Sequence, residues 1–143
     1  MTIHQISVFL ENRAGQLAQI TTALAEENID LRAINIAETS DYGVLRLIAD
    51  QPQKAASTLL EKGFILSMTP VIAVSVPDAP GGLARVLEVL AAAAIDVEYM
   101  YSAFGQGDGK AYMIFRVTDI DKLVQALQAG GIQPVTGEEM GIH

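Results

Sequence analysis

Residues 6–30 read ISVFLENRAGQLAQITTALAEENID, and residues 72–96 read IAVSVPDAPGGLARVLEVLAAAAID. When the chain is shifted by 66, nine of these 25 positions carry the same residue. Further on a shift of 68 aligns better, because it places Lys54 on Lys122. The two extra residues of the second copy fall in the glycine-rich stretch 105–109. A repeat of this length indicates two homologous units, which we assign to residues 1–69 and 70–143.

Both copies predict the same order of elements. Apolar residues alternate in an opening strand, as at Ile6, Val8 and Leu10, and then recur at helical spacing. Two strands, a second helix and a short strand follow, so the fold class is α+β, with two ferredoxin-like βαββαβ units. Each unit should form an antiparallel sheet with its helices on one face. Because only Thr69-Pro70 joins the units, we expect them to pack side by side.

Two details of the helices can be predicted from the same pattern. Asp50 is a plausible N-cap for the second helix of the first copy, and Thr118 or Asp119 for its counterpart. The first helix of each copy should bury its apolar face against the sheet. The residues expected to be buried there are Leu17, Ile20, Leu24, Leu83, Val86, Leu87 and Leu90.

Composition excludes several classes of function. The 143 residues carry 9 Lys+Arg against 17 Asp+Glu, a net charge of −8 with scattered bases, which argues against nucleic-acid and anionic-membrane partners. The absence of cysteine excludes disulfides, thiol catalysis and thiolate metal sites. No basic start of a signal peptide is visible, and the longest apolar run, 89–95, is far below the ~20 residues of a membrane span. A cytoplasmic location is therefore expected.

Groups suited to catalysis are sparse. His4 and His143 lie at the chain ends without a metal-ligand pattern, and no Ser-His-Asp ordering or nucleophile elbow is present. The stretch Gly105–Lys110 resembles a phosphate loop only superficially, because a strand rather than a helix follows it. We therefore predict no enzyme, no metal and no cofactor.

The loops before the first helix of each copy are more informative. They read ENRAGQL at 11–17 and PDAPGGL at 77–83, so Asn12 or Asp78 stands three residues before a glycine. Free amides at a helix start can hold a carboxylate, and the Asn or Asp oxygen can accept from an ammonium group. This combination suits a free α-amino acid. The same spacing also suits plain N-caps followed by glycines that permit close packing, so both interpretations stay open.

The pattern Asn/Asp-x-x-Gly-x-Leu after an apolar strand, within a βαββαβ unit, resembles the ACT domain. Asn12-x-x-Gly15-x-Leu17 fits it, Asp78-x-Pro80-Gly81-x-Leu83 fits it better, and Asn28-Ile29-Asp30 resembles the family's turn into strand two. The likeness covers nearly the whole chain as two tandem copies, which looks like a free-standing module. It implies regulation, since ACT modules bind small molecules, usually amino acids, and transmit this to enzymes of amino-acid metabolism.

The resemblance also implies where a ligand binds, namely at the strand-one to helix-one loops and beside strand two, through which such domains commonly pair. Carried over residue by residue, the first copy supplies Asn12, Arg13, Ala14, Gly15, Gln16 and Leu17. The second copy supplies Asp78, Ala79, Pro80, Gly81, Gly82 and Leu83, and strand two adds Asn35, Ile36, Tyr101 and Ser102. Because Arg13-Ala14 stands where the second copy has Ala79-Pro80, the two sites cannot be equivalent, and one of them can be empty.

The function expected first is an amino-acid-binding regulatory protein that modulates a separate enzyme of amino-acid metabolism. The alternatives are a ligand-free structural or interaction module, or a small regulatory subunit of a biosynthetic enzyme such as acetolactate synthase. An acylphosphatase-like enzyme, with Arg13 and Asn35 holding phosphate, is disfavoured because the second copy has Ala79 and Tyr101 there.

The expected partners are a free amino acid, a catalytic enzyme subunit and a second copy of the chain. A homodimer is expected because the sheet face away from the helices carries apolar residues. These are Ile48, Tyr112 and Ile114, and an uncovered apolar face invites a partner. The same face carries Arg46 and Arg116, so a solvated face stays the alternative.

Overall fold

A computed structural model describes residues 2–11, 13–38, 42–104 and 108–143 of the chain. Two compact units are present. One, here called the N-unit, comprises His4–Thr69 together with Glu138–His143. The other, the C-unit, comprises Met1–Ile3 and Pro70–Gly137. The predicted site residue Asn12 and the centre of the glycine-rich stretch, residues 105–107, lie outside the described residues.

The N-unit is built on a four-stranded sheet in the order β2-β3-β1-β4. Its elements are β1 (Ile3–Glu11), α1 (Gln16–Glu26), β2 (Leu31–Glu38), β3 (Tyr42–Ala49), α2 (Pro52–Glu61) and the start of β4 (Leu66–Pro77). The strand β3 pairs antiparallel with both β1 and β2. Beside β4, the Phe9 N–H donates to the Ile65 carbonyl at 2.9 Å.

The C-unit repeats this plan in the order β7-β4-β6-β5, with every pairing antiparallel. Its further elements are α3 (Gly82–Ala92), β5 (Val97–Ser102), β6 (Lys110–Val117), α4 (Ile120–Ala129) and β7 (Pro134–Val135). The predicted α+β class with two βαββαβ units is confirmed. One boundary differs, because β4 runs through Thr69 and Pro70 without a break where the sequence predicts two separate strands.

In each unit the helices cover one face of the sheet. Alternate residues of β1, Ile6, Val8 and Leu10, join α1 and α2 in a single N-unit core, which also holds Ile20, Leu24, Leu45, Leu47, Ala49 and Leu59. The C-unit core holds Ile72, Val74, Val76, Val86, Leu90, Phe115, Val117, Leu123 and Leu127, with Leu83 and Leu87 partly buried against it. The predicted burial of Ile20, Leu24, Val86 and Leu90 is thus confirmed.

The prediction that Leu17 is buried is wrong. Leu17 is 42% exposed, whereas the preceding Gln16 is only 7% exposed. The buried stripe runs through Gln16, Ile20, Ala23 and Leu24. It therefore shares Ile20 and Leu24 with the expected one and differs only in the first turn, where Gln16 rather than Leu17 is buried. Leu17 has the helical spacing of Ile20 and Leu24, so periodicity alone does not reveal that a residue of the first turn is exposed.

The helix caps and the chain end show how tertiary contacts compete with local signals. Asp119 caps α4 as predicted, accepting from the Lys122 N–H at 3.1 Å. Asp50 does not cap α2, since its side chain instead accepts from the Asp30 N–H at 2.9 Å. The backbone oxygen of Asp50 accepts from the His143 N–H at 2.7 Å. Asp50 is therefore held by contacts distant in sequence.

A short 3-10 helix, Glu138–Met140, ends the chain and is not predicted from the sequence. Met140 is buried in the N-unit, and its carbonyl oxygen accepts from Arg32 Nε at 3.1 Å. The end of the chain is thereby attached to β2.

The prediction that Ile48, Tyr112 and Ile114 lie on an uncovered apolar face is wrong. Ile48, Tyr112 and Ile114 are all buried within the single chain. These residues offer no free apolar surface, so the homodimer stays a prediction without this support.

Candidate functional site

Both helices that follow a first strand begin at a glycine. The N-cap of α1 is Gly15 with φ 84°, and that of α3 is Gly81 with φ 88°, a left-handed conformation that favours glycine. Within the described residues neither helix start receives a side-chain cap, so Asp78 is no N-cap of α3. No acidic residue lies in the first turn of either helix. The partial positive charge of these helix starts is thus available to an anion.

A cavity of about 200 Å³ lies beside the start of α1 in the N-unit. It is lined by Leu10, Glu11, Arg13, Gln16, Leu17, Ile36, Glu38, Tyr42 and Gly43. The structure therefore brings together part of the loop, the first turn of α1 and the end of β2, which are the places where the resemblance implies a ligand.

Four of the residues expected at this site line the cavity, namely Arg13, Gln16, Leu17 and Ile36. Gly15 instead lines a neighbouring groove along α1 of about 480 Å³. Asn35 lies on the opposite face of the sheet, where its Oδ1 accepts from Arg46 Nη1 at 3.1 Å.

Gln16 is the unusual residue of this cavity. Its Oε1 is buried and has no hydrogen-bond partner among the described residues. A buried polar group left unpaired costs about 1–3 kcal/mol, and most such groups in native proteins have a partner. Since rotation of the carboxamide exchanges its oxygen and its amino group, Gln16 can either accept from a ligand or donate to one.

The charged residues around Gln16 are accessible to a small molecule. Arg13 Nε lies 2.9 Å from Glu11 Oε2, and both side chains are mostly exposed. An exposed pair of this kind contributes little to stability, so Arg13 can exchange Glu11 for a ligand carboxylate at little cost. Glu38 adds a second exposed carboxylate on β2.

Glu38 and Tyr42 were missed in the sequence, although a signal for Glu38 exists. It stands two residues after Ile36 on a strand, so both side chains point to the same face. Tyr42 comes to the site through the pairing of β3 with β1, in which it lies opposite Glu11, and no local pattern reveals that register.

A second, larger cleft of about 670 Å³ adjoins the first. It is lined by Phe9, Leu10, Glu11, Arg13, Gln16, Gln19, Tyr42, Lys62, Gly63, Phe64 and Ile65. The two cavities share Leu10, Glu11, Arg13, Gln16 and Tyr42. Gln16 therefore lies between the two cavities.

The corresponding loop of the C-unit is arranged differently. Asp78, Ala79, Pro80 and Gly81 are exposed, and a Cβ atom added to Gly82 would collide with the Pro77 carbonyl oxygen. The Gly82 N–H also donates to the Ala79 oxygen at 3.1 Å. The start of α3 thus lies tightly against the end of β4.

In the described part of the C-unit, the remaining predicted contacts, Tyr101 and Ser102, do not line either of two cavities, one beside Asp96 and one beside Pro77. Tyr101 is buried and its ring stacks on Tyr99 with the centroids 6.4 Å apart, and Ser102 follows it as an exposed residue. A cleft of about 520 Å³ in this unit is lined instead by Ser75, Val76, Pro77, Arg85, Asp108, Gly109, Lys110, Gly131, Ile132 and Gln133. A ligand-binding role for these C-unit residues therefore stays a prediction.

The described residues contain no group of three or more His, Asp or Glu residues placed to hold a metal ion. In the same parts of the chain, no helix is both long and apolar enough to cross a membrane.

Comparisons with known proteins agree with this architecture. The sequence model of the ACT domain pair family matches residues 1–140. The solved structure of protein BT0572 from Bacteroides thetaiotaomicron is 38% identical, with a TM-score of 0.91 over 99% of this chain and 96% of that one. No protein with a curated functional description matches the chain significantly.

More distant structures share the fold. The regulatory subunit of aspartate kinase from Thermus thermophilus, in its ligand-free form, is 17% identical, with a TM-score of 0.62 over 89% of this chain and 91% of that one. Its counterpart from Thermus flavus is 18% identical, with a TM-score of 0.57 over 92% and 94%. The match over residues 1–140 and the 38% identical structure show the family: the chain belongs to the ACT domain pair proteins.

Proposed function

We propose that this protein is a regulator that binds a free α-amino acid in the N-unit and thereby modulates a separate enzyme of amino-acid metabolism. The observation that carries the proposal is the unpartnered, buried Oε1 of Gln16 beside the start of α1. Distant structural similarity to aspartate kinase regulatory subunits adds support for a regulatory role.

The charges around the 200 Å³ cavity suit the two ends of an α-amino acid. A ligand carboxylate would lie at the start of α1, where the helix dipole and the Arg13 guanidinium both favour negative charge. The ammonium group would face the carboxylates of Glu11 and Glu38, and it would donate to Gln16 Oε1 after the buried carboxamide turns toward the cavity. Each charged hydrogen bond of this kind contributes about 1.5–3 kcal/mol.

Binding at this place offers a physical route to regulation. The cavity is lined from β1, α1, β2 and β3, so a ligand in it would couple four elements of the N-unit. A partner enzyme that contacts this end of the unit would then bind the free and the loaded protein with different affinities. Regulation requires this difference.

The test is a calorimetric and thermal-shift screen of the full chain against the twenty amino acids. A ligand at 100 times its Kd raises the free energy of unfolding by about 2.7 kcal/mol. Gln16→Leu should weaken binding of the best ligand by about tenfold or more, because it removes one charged hydrogen bond.

The matched control is Gln53→Leu on α2, because Gln53 is exposed and lies outside the cavities of the N-unit described above. It should leave the affinity unchanged. Absence of binding by all twenty amino acids, or full affinity in Gln16→Leu, would contradict the proposal.

A further inference from the structure

We infer that the ligand of the N-unit is an amino acid with a large apolar or aromatic side chain, which occupies the 670 Å³ cleft next to the head-group cavity. This inference rests on the proposed function and specifies the chemical class of its ligand.

The two adjoining cavities divide the ligand into a polar and an apolar part. The smaller one, of about 200 Å³, holds roughly seven times the volume of one liquid water, about 30 Å³, and this is room for a carboxylate, an ammonium and little more. The larger cleft lies within the usual range for small-molecule sites, about 300–1,000 Å³. Because Gln16 lines both, a head group bound at Gln16 would direct its side chain into the larger cleft.

The wall of the larger cleft includes apolar side chains that are exposed to solvent. Phe9 and Tyr42 are each about half exposed, and Ile65 is 70% exposed. The rings of Phe9 and Tyr42 contact each other with centroids 6.3 Å apart. Grouped, exposed apolar side chains in a concave site are typical of a ligand-binding surface.

The C-unit shows that the fold itself does not require these apolar residues. Phe9 lies opposite Val44 and Glu11 opposite Tyr42, while Ser75 lies opposite Tyr112 and Pro77 opposite Lys110, so the two clefts are built on the same strand register. At the positions of Phe9, Tyr42 and Ile65 the C-unit carries Ser75, Lys110 and Gln133, which line its own cleft. The apolar wall is therefore a property of the N-unit alone.

The charged residues of the cleft disfavour a cationic ligand side chain. Lys62, Arg13 and Glu11 line the cleft. Arg13 is paired with Glu11, and Lys62 would repel a lysine or arginine side chain placed there. An acidic side chain could approach Lys62, but its carboxylate would lose water against Phe9, Phe64 and Ile65, at a cost in free energy. A large apolar side chain avoids both penalties.

The test compares affinities by titration calorimetry on the full chain, with L-phenylalanine and L-leucine against L-threonine, L-glutamate and L-lysine. We expect the two apolar amino acids to bind at least about tenfold more tightly, since burial of one large apolar side chain is worth such a factor.

The variants take their replacements from the C-unit. Ile65→Gln and Phe9→Ser should lower the affinity for L-phenylalanine by about fivefold or more. Ile65→Gln is the safer of the two for folding, because Ile65 is so exposed. The matched control is Leu60→Gln, since Leu60 is 56% exposed on α2, lies outside the cleft and has Gln128 as its C-unit counterpart.

The outcomes separate the two claims. A preference for threonine, glutamate or lysine that still depends on Gln16 would overturn the inference and leave the proposed function standing. The inference would also be overturned, and the proposed function would stand, if Ile65→Gln, Phe9→Ser and the unchanged chain bound L-phenylalanine with equal affinity. If none of the twenty amino acids binds, the proposed function fails and the inference fails with it.

Discussion

Gly82 lies so close to the Pro77 carbonyl oxygen that a Cβ atom on residue 82 would collide with it. The residue at the same place in the N-unit is Gln16, which has a full side chain and lines two cavities. The start of α1 thus has room at the position where the start of α3 has none. The difference between the two helix starts motivates placing the ligand in the N-unit.

Gly82→Ala should lower the free energy of unfolding of the C-unit by about 1–3 kcal/mol, the usual cost of overpacking. Chemical denaturation followed by circular dichroism measures it. Gly43→Ala is the control, because an added Cβ there meets its nearest atoms at an ordinary 3.6 Å, and it should be tolerated. A Gly82→Ala protein as stable as the unchanged chain would contradict the close packing.

Gln16→Leu should leave the unliganded protein as stable as before or raise its free energy of unfolding by about 1 kcal/mol, because an unpaired buried oxygen is removed. A melting curve without ligand tests this. A clear loss of stability would show that the carboxamide has a structural partner, and the binding role of Gln16 would lose its basis.

Asp78→Ala and Asp119→Ala form a matched pair. Asp119 accepts from the Lys122 N–H, so its loss should cost about 1 kcal/mol of stability. Asp78 supplies no cap to α3, and its replacement should change stability by less than about 0.5 kcal/mol. Melting temperatures of the two variants measure the difference. Equal losses of stability would contradict the finding that Asp119 caps its helix and Asp78 does not.

Met140→Ala should destabilise the N-unit by about 2–5 kcal/mol, because a buried methionine leaves a cavity behind. The exposed neighbour Glu138 provides the control, Glu138→Ala, which should have little effect. Denaturant unfolding of the two variants makes the comparison. Equal stability would mean that the chain end contributes nothing to the N-unit.

The element order could be predicted from the sequence because local signals and the repeat agree. Alternation in Ile6, Val8 and Leu10 defines a strand, and its recurrence at Ile72, Val74 and Val76 removes the ambiguity of either copy alone. The environments of Asp50 and Leu17 could not be predicted. That of Asp50 depends on its contact with Asp30, and that of Leu17 depends on the cavity beside the first turn of α1.

For the candidate site, family resemblance led to Arg13, Gln16, Leu17 and Ile36, which do line one cavity. What could not be predicted is the environment of Gln16. A glutamine beside a leucine at a helix start has the sequence pattern of an exposed residue, and its burial follows only from the three-dimensional position of the loop. The apolar wall was missed for the same reason. Phe9 on β1 and Ile65, which precedes β4, are distant in sequence and come together through the hydrogen bond from the Phe9 N–H to the Ile65 carbonyl.

The central claim is that a free amino acid binds beside Gln16. The most direct test is titration calorimetry. The full chain and its Gln16→Leu variant are each titrated with whichever of the twenty amino acids binds best. The account predicts one ligand per chain and an affinity at least about tenfold lower in the variant. Two equivalent sites per chain, or the same affinity in both proteins, would contradict it.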